Sequence, residues 1–388
     1  VWGSNNENQL GNGGATNRSV PAGISELSNV VRIAAGGFHS LALTGDGRVL
    51  AWGYNELGQL GDGTNSDRAS PVAVRNITGT VAIAAGSQNS LALKFDGTVW
   101  AWGANTVSYG SSAIQVGGLP TVKSIVSGGS HSLAIAFDGT VWAWGSNKYG
   151  QLGDLTTSDR ISPVRVSGLK NVVSLAAGGQ HSIALLSDGS VWSWGSNVFG
   201  ELGDGTREDR YAPTQIGADF QAVAAGSGYS LGIKGDGSIW VWGSDGLSAP
   251  AISPVRHASL NRINAIAAGG NFKLVLRADG TVWTWGANNT GQLGDGTFAQ
   301  RRAPAIGVNA TLDGVLDMDL DVANFDSGEN PTAFLVNSTG GVTNTSASVG
   351  TTTKSVEKRN QATQRSPQIC AIRTLEFKNE ERCSRQPM

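Results

Sequence analysis

The chain of 388 residues is long enough for one large repeat domain or for two ordinary domains. Its 55 Gly and 12 Trp, with 15% charged residues, are typical of tight turns and aromatic-rich strands, so we expect an all-β protein. The formal net charge of −2 gives no strong signal for nucleic acid, and no segment is apolar enough to predict a transmembrane helix.

The dipeptide Trp-Gly recurs along the chain at a nearly constant spacing. Its seven copies begin at Trp2, Trp52, Trp102, Trp144, Trp194, Trp242 and Trp285, at intervals of 50, 50, 42, 50, 48 and 43 residues. An Asp-Gly pair precedes each copy after the first, and a step of small residues such as Ala34-Ala35-Gly36-Gly37 precedes each Asp-Gly. Periods of this size indicate a propeller or a solenoid.

Residues 172–216 contain one complete repeat. Four strand signals lie in it, at Val172–Ala177, Ser182–Leu186, Ser190–Trp194 and Ala212–Ile216. Asp188-Gly189 is a hairpin signal between the second and third, and four antiparallel strands per repeat predict a propeller blade. Trp192 and Trp194 are two positions apart, so both indoles lie on one face, where we expect them to pack against the next blade.

The two chain ends are expected to complete a seventh blade together. Residues 314–323 and 331–337 resemble its first two strands, and residues 1–3 and 19–24 supply its third and fourth. Such a joint ties the ring and removes open sheet edges. We predict a seven-bladed β-propeller with four-stranded blades over residues 1–343. A disordered or loosely attached tail follows over residues 344–388, which hold Cys370 and Cys383.

Motifs within the repeats point to one kind of propeller. Residues 36–43 read Gly-Gly-Phe-His-Ser-Leu-Ala-Leu, and residues 46–64 join Asp-Gly and Trp-Gly to Gly-Gln-Leu-Gly-Asp-Gly-Thr. Similar stretches occupy residues 128–135, 138–154, 178–185, 188–206 and 279–297. Over about residues 1–343 the chain resembles the regulator of chromosome condensation repeat family. The resemblance implies a seven-bladed propeller.

Catalytic and metal sites are not expected. The repeats contain no cysteine and no phosphate-binding loop, and three of the four histidines share one repeat position. Asp317, Asp319 and Asp321 alternate as in a calcium loop, but that loop's sixth position is Val322 and its twelfth is Gly328. We therefore predict a protein that is not an enzyme and that has no cofactor.

The function we expect is a non-catalytic scaffold, a monomeric ring that binds a protein partner through loops on one face. The resemblance implies an alternative, guanine-nucleotide exchange on a small GTPase, in which acidic and His side chains near the small-residue step contact the GTPase. No residue there is acidic in this chain, which favours plain binding. A secreted enzyme inhibitor is a further alternative. The sequence leaves open whether the chain is secreted after removal of a leader or is cytoplasmic.

The candidate partner-binding residues lie in pairs after the small-residue step. They are Phe38, His39, Gln88, Asn89, Ser130, His131, Gln180, His181, Tyr229 and Phe272. The position that accepts His, Asn, Tyr or Phe also fits a packing or hydrogen-bonding role. Two repeats lack the Gly-Gln-Leu-Gly-Asp-Gly-Thr loop, and we expect Tyr109 and Leu247 to lie where the rim is lowest, since loops on a scaffold often determine binding specificity.

Overall fold

The computed structural model describes residues 1–104, 110–247, 249–307, 318–323 and 332–337. Regular secondary structure in these residues is β-strand throughout, and none of them forms a helix with the length and apolar character needed to span a membrane. Val1–Gly350 form one compact unit. The tail predicted over residues 344–388 lies outside the described residues.

Six blades of four antiparallel strands follow one another along the chain, each with its strands paired in sequence order. Blades 1 to 3 comprise β2 (Val30–Ala35), β3 (His39–Thr44), β4 (Val49–Gly53) and β5 (Arg68–Ala73); β6 (Thr80–Ala85), β7 (Asn89–Lys94), β8 (Val99–Gly103) and β9 (Gly110–Gln115); and β10 (Val122–Ser127), β11 (His131–Ala136), β12 (Val141–Gly145) and β13 (Arg160–Arg165). Blades 4 to 6 comprise β14 (Val172–Ala177), β15 (His181–Leu186), β16 (Val191–Gly195) and β17 (Arg210–Gly217); β18 (Phe220–Ala225), β19 (Tyr229–Lys234), β20 (Ile239–Gly243) and β21 (Ala251–Arg256); and β22 (Ile263–Ala268), β23 (Phe272–Arg277), β24 (Val282–Gly286) and β25 (Arg301–Ile306).

Blade 4 contains the four strands predicted within residues 172–216, with small changes in their bounds. β15 and β16 form the predicted hairpin, in which Gly189 takes a φ of +80° that favours glycine. The Asp188 carboxylate accepts hydrogen bonds from the backbone N–H and the hydroxyl of Ser190, at 2.9 and 2.6 Å. The Asp-Gly pairs are therefore explained by turn chemistry.

The core lies between neighbouring blades and contains the buried tryptophans of the Trp-Gly pairs. Trp194 of blade 4 packs with Leu133, Leu152 and other residues of blade 3, so the indole faces the preceding blade, not the next one as expected. Its Nε1 donates to the carbonyl oxygen of Gln151 at 2.8 Å. Equivalent bonds run from Trp2 to Gln292, from Trp52 to Gln9 and from Trp102 to Gln59. Truncation of such a side chain typically costs about 3–5 kcal/mol of stability.

The chain ends meet in one sheet, but it has three strands. β1 (Trp2–Gly3) pairs antiparallel with β27 (Thr332–Asn337), which pairs with β26 (Met318–Ala323). No strand forms over residues 19–24, where a fourth strand was expected: Gly3 makes an isolated bridge to Arg18, and the backbone groups of Val1 and Ala22 bond to each other. The described residues thus form six four-stranded blades and one three-stranded sheet, where seven four-stranded blades were predicted.

The three-stranded sheet lies beside both blade 1 and blade 6. β26 lies against β2 of blade 1 and against β22 of blade 6. The N-terminal segment makes the same two connections through side chains, since Trp2 bonds to blade 6 and Trp52 of blade 1 bonds to Gln9. The sheet therefore occupies the joint between the first and the last blade.

Candidate partner-binding face

Each blade has two loops at the same end, because successive antiparallel strands reverse direction. The loop between the first and second strands is the glycine step, such as Gly36-Gly37-Phe38. The loop between the third and fourth strands is the rim loop, such as residues 54–67 in blade 1. We call the surface that both loops form the glycine-step face.

Backbone hydrogen bonds join the glycine steps of adjacent blades. They run from the N–H of one blade to the carbonyl oxygen of the next, at 3.0–3.2 Å: Gly37 to Gly86, Ser87 to Gly129, Gly129 to Gly178, Gly179 to Gly226 and Ser227 to Gly270. A Cβ atom added to Gly86 would lie 2.6 Å from the oxygen of Gly128, which is too close for a side chain. The small residues therefore allow the blades to approach each other closely around the ring.

A second set of contacts comes from the slot residue, the first residue of each blade's second strand. The six slot residues are at most 2% exposed: His39, Asn89, His131, His181, Tyr229 and Phe272. Each histidine reaches a serine of the following blade through Nε2, with distances of 2.7 Å for His39–Ser90, 2.9 Å for His131–Ser182 and 2.9 Å for His181–Ser230. Asn89 donates to Ser127, and Tyr229 to the oxygen of Gly269, again in the following blade.

The serine partners determine which histidine nitrogen carries the proton. The Ser90 hydroxyl donates to the carbonyl oxygen of Gln59 at 2.8 Å, so its oxygen accepts a hydrogen bond from Nε2 of His39. Burial lowers the pKa of His39 to about 3, that of His131 to about 4 and that of His181 to about 3. These imidazoles are therefore neutral at pH 7 and serve as hydrogen-bonding groups between blades.

The remaining candidates, which precede the slot residues, lie on the surface. Gln88, Ser130 and Gln180 are exposed, and Phe38 is half-buried with its ring 6.1 Å from that of Tyr54. The carbonyl oxygen of Phe38 accepts a hydrogen bond from the N–H of Tyr54, which ties the glycine step to the rim loop. Of the ten sequence candidates, the structure therefore brings four to the glycine-step face and places six inside the ring.

Exposed apolar side chains on the rim loops were missed by the sequence analysis. Leu57 is 37% exposed, Val198 54% and Phe199 50%. These side chains lie in the two positions that follow the buried asparagine of a long rim loop. The two positions are Glu-Leu in blade 1, Lys-Tyr in blade 3 and Val-Phe in blade 4. Variation at two positions inside an otherwise constant loop was the signal that could have identified them.

A buried ion pair joins the short rim loop of blade 5, through Asp245, to Lys273 on β23 of blade 6. Nζ of Lys273 lies 2.5 Å from Oδ2 of Asp245, and both side chains are at most 6% exposed. Lys273 stands where the other blades have Ser, and its ammonium lies 3.9 Å from the centre of the Tyr229 ring. Burial lowers the pKa of Lys273, while Asp245 opposes that shift. Leu247 of this loop is half-buried, and Tyr109 of the other short loop lies outside the described residues.

No group of three or more metal-ligating His, Cys, Asp or Glu side chains occurs in the part of the chain that the structure describes. Asp319 and Asp321 lie on β26, whereas Asp317 lies outside the described residues. The turn aspartates are engaged locally: a hydrogen bond from the hydroxyl of Thr98 lowers the pKa of Asp96, for example.

The repeated blades and their ring of inter-blade bonds define a β-propeller. The profile of the regulator of chromosome condensation (RCC1) repeat matches residues 1–43, 46–93, 138–185, 188–233 and 279–310, and a second profile of this repeat matches residues 30–59, 81–110, 122–151, 172–201 and 263–292. The chain belongs to the RCC1 repeat family, as the sequence motifs predicted.

Solved structures support the same fold. Prp20p from Saccharomyces cerevisiae, described with its binding to Gsp1p and histones, superposes with a TM-score of 0.76 at 23% identity, over 87% of this chain and 91% of that one. Human WBSCR16 superposes with a TM-score of 0.76 at 20% identity, over 87% of this chain and 99% of that one. No curated protein sequence matches the chain.

Proposed function

We propose that the protein is a non-catalytic scaffold that binds a protein partner through its glycine-step face. The observation that carries this proposal is that exposed side chains sit on loops whose bases are fixed between blades. Gln88 and Gln180 each precede a slot residue that is hydrogen-bonded to the following blade. Side chains held on rigid loops lose little conformational entropy when a partner binds.

The composition of this face fits a protein partner. Phe38 and Tyr54 form an aromatic pair, and Val198 and Phe199 add exposed apolar surface on blade 4. Aromatic residues are enriched at the centres of protein interfaces. Prp20p, which shares the fold, is described as binding Gsp1p and histones, and this supports a protein partner as well.

Guanine-nucleotide exchange is the second candidate, and one observation favours it. Acidic residues are missing from the glycine steps, but the rim loops bring Glu7, Glu56 and Asp67 together beside Tyr54. Glu56 accepts a hydrogen bond from the Tyr54 hydroxyl at 2.7 Å. Burial raises the pKa of Glu7, and the charges of Asp67 and Glu56 raise it further. Such a negative group next to Phe38 suits a basic partner surface.

We also propose that the three-stranded sheet is the seventh blade of a ring over residues 1–343, followed by a loosely attached tail. Its place beside blades 1 and 6 and the bonds of Trp2 and Trp52 support this. Limited proteolysis should remove residues 344–388 and leave a product that retains residues 1–24. A product that loses the N-terminal segment first would contradict the closure. Light scattering should give the mass of a monomer.

The binding proposal is tested by capture of partners with surface variants. Phe38→Ser and Gln180→Arg change the glycine-step face without touching a buried slot residue, whereas a change of His181 would disturb the joint between blades. Phe137→Ser is the matched control, since Phe137 is 68% exposed at an Asp-Gly turn on the opposite face. We expect captured partners to be lost with the first two variants and retained with the control. The reverse pattern would place binding on the opposite face.

A separate assay distinguishes the two candidate functions. The intact chain is added to purified small GTPases loaded with a fluorescent guanine nucleotide, and nucleotide release is followed. A scaffold leaves the release rate unchanged. Acceleration that is lost in Glu56→Gln would establish exchange and replace the scaffold proposal.

A further inference from the structure

Four rim loops contain the same internal ion pair. The guanidinium of an arginine at the start of the fourth strand binds the aspartate of the Gly-Asp-x-Thr turn, with Nη2–Oδ2 distances of 2.6 Å in three of them. In the fourth, Nε of Arg301 lies 2.6 Å from Asp295. The arginine side chains are about one third exposed, and the aspartates are at most 6% exposed. The backbone of the rim loop thus positions an arginine so that it binds a carboxylate, and it does so in four copies.

The N-terminal segment forms a fifth loop of this kind that keeps the arginine but lacks the acid. Arg18 occupies the position of Arg68, while Asn12 replaces Asp62 and Gly14 replaces Thr64. The fold of the loop is otherwise retained. Asn12 Oδ1 accepts from Asn5 Nδ2 at 3.2 Å, which is the distance between Asp62 and Asn55 in blade 1. The backbone of Arg18 is fixed by two hydrogen bonds with Gly3, at 2.8 and 2.9 Å.

Nothing in the described part of the chain takes over the role of the missing acid. Nε of Arg18 is buried without a hydrogen-bond partner among the described residues. A buried donor that is left unsatisfied is unfavourable, so the Arg18 guanidinium gains by turning toward an acceptor in the cleft that it lines. Arg18 lines a cleft of about 470 Å³ with Asn12, Thr16, Val20 and Phe298. Phe298 comes from the neighbouring rim loop of blade 6 and is 53% exposed.

We propose that this cleft is a binding site for a carboxylate group, with Arg18 as the residue that binds it. The chemistry follows from the four intact loops, in which the equivalent guanidinium holds an aspartate carboxylate in a charge-assisted contact. Val20 and Phe298 offer an apolar wall for the methylene groups that carry the carboxylate. The ligand class is an aspartate-like carboxylate, presented by a peptide or by a small molecule. This site does not depend on the proposed function of the glycine-step face.

The test uses N-acetyl-aspartate N-methylamide as the probe and the arginine Nε–H signals of the full chain in nuclear magnetic resonance. Titration should shift the Arg18 signal saturably, and inorganic phosphate should bind less tightly. Asn12→Asp restores the internal ion pair and should weaken probe binding by about tenfold or more. Asp62→Asn is the matched variant that should create a second site, because it removes the acid that binds Arg68 in blade 1. The probe should then also shift the Nε–H signal of Arg68.

Acetate and the peptide-like probe separate the two sources of the carboxylate. Acetate binding as tight as probe binding points to a small carboxylate, whereas tighter probe binding points to a peptide, and both support the site. An Arg18 signal that does not respond to the probe overturns the proposal. So does unchanged binding in Asn12→Asp, or tighter binding of phosphate than of the probe. Arg18→Gln must abolish probe binding measured by isothermal titration calorimetry, and melting curves establish that each variant is folded.

Discussion

The buried histidines predict that the propeller loses stability well above the pH at which carboxylates titrate. His39, His131 and His181 have pKa values of about 3, 4 and 3, against 6.5 for an ordinary histidine. Below pH 6.5 the unfolded chain therefore binds protons that the folded chain does not accept. The stability present above pH 6.5 is lost as the pH falls towards 4 or 3.

The size of the effect follows from the linkage relation. Between pH 7 and pH 5 each of these histidines removes about 2 kcal/mol from the free energy of unfolding, because the unfolded imidazole is almost fully protonated at pH 5 and the buried one is not. The three together remove about 6 kcal/mol, which is comparable with the whole stability of many domains.

The perturbation that isolates one histidine is His131→Asn, because Asn89 already fills the same slot in blade 2. Equilibrium urea unfolding, followed by tryptophan fluorescence, is measured for both proteins at pH 7 and pH 5. The variant should lose about 2 kcal/mol less than the wild type between the two values. Equal losses would refute the reasoning, because all other titrating groups are shared and cancel in the difference.

Three further substitutions test other features of the ring by urea unfolding. Lys273→Ala should lower the free energy of unfolding by about 3–5 kcal/mol, because Asp245 then loses its buried counter-charge; a loss below 1 kcal/mol would contradict a buried pair. Leu155→Gly should raise the free energy of unfolding by about 1 kcal/mol. Leu155 has a φ of +67° at a position where the other long rim loops have Gly, and its side chain is 66% exposed, so little packing is lost. A destabilised variant would argue against backbone strain at Leu155. Gly178→Ala should lower the free energy of unfolding by about 1–3 kcal/mol, because the new Cβ would lie 2.3 Å from Cε1 of His181, and a neutral result would show that the joint can relax.

The repeat markers were sufficient to predict the six four-stranded blades. The Asp-Gly turn, the Trp-Gly pair and the step of small residues each reflect a local backbone requirement, as the positive φ of Gly189 illustrates. Strand bounds in blade 4 therefore agree within about two residues. The fourth strand expected over residues 19–24 is instead an isolated bridge between Gly3 and Arg18.

The candidate site was predicted less well, because a sequence alignment does not show which side chains meet across a joint. The repeated histidines directly follow the glycine step, as the sequence predicted. Their imidazoles, however, point into the interior of the propeller and bond to serines about 50 residues further along the chain. Lys273 and Asp245 form a pair that neither residue indicates alone. The Arg18 site was readable in principle, since aligning residues 11–18 with residues 61–68 shows the exchange of Asp for Asn.

The direction of the tryptophan bonds sets the boundaries for transplanting repeats between propellers. Trp194 belongs to blade 4, but the carbonyl group and apolar side chains that receive it belong to blade 3. A chimaera cut at blade edges would therefore separate the indoles of Trp2, Trp52, Trp102 and Trp194 from their acceptors. A cassette that keeps the indole with its hydrogen-bond acceptor is offset from the blade and runs from a rim loop to the following Trp-Gly, as residues 147–195 do.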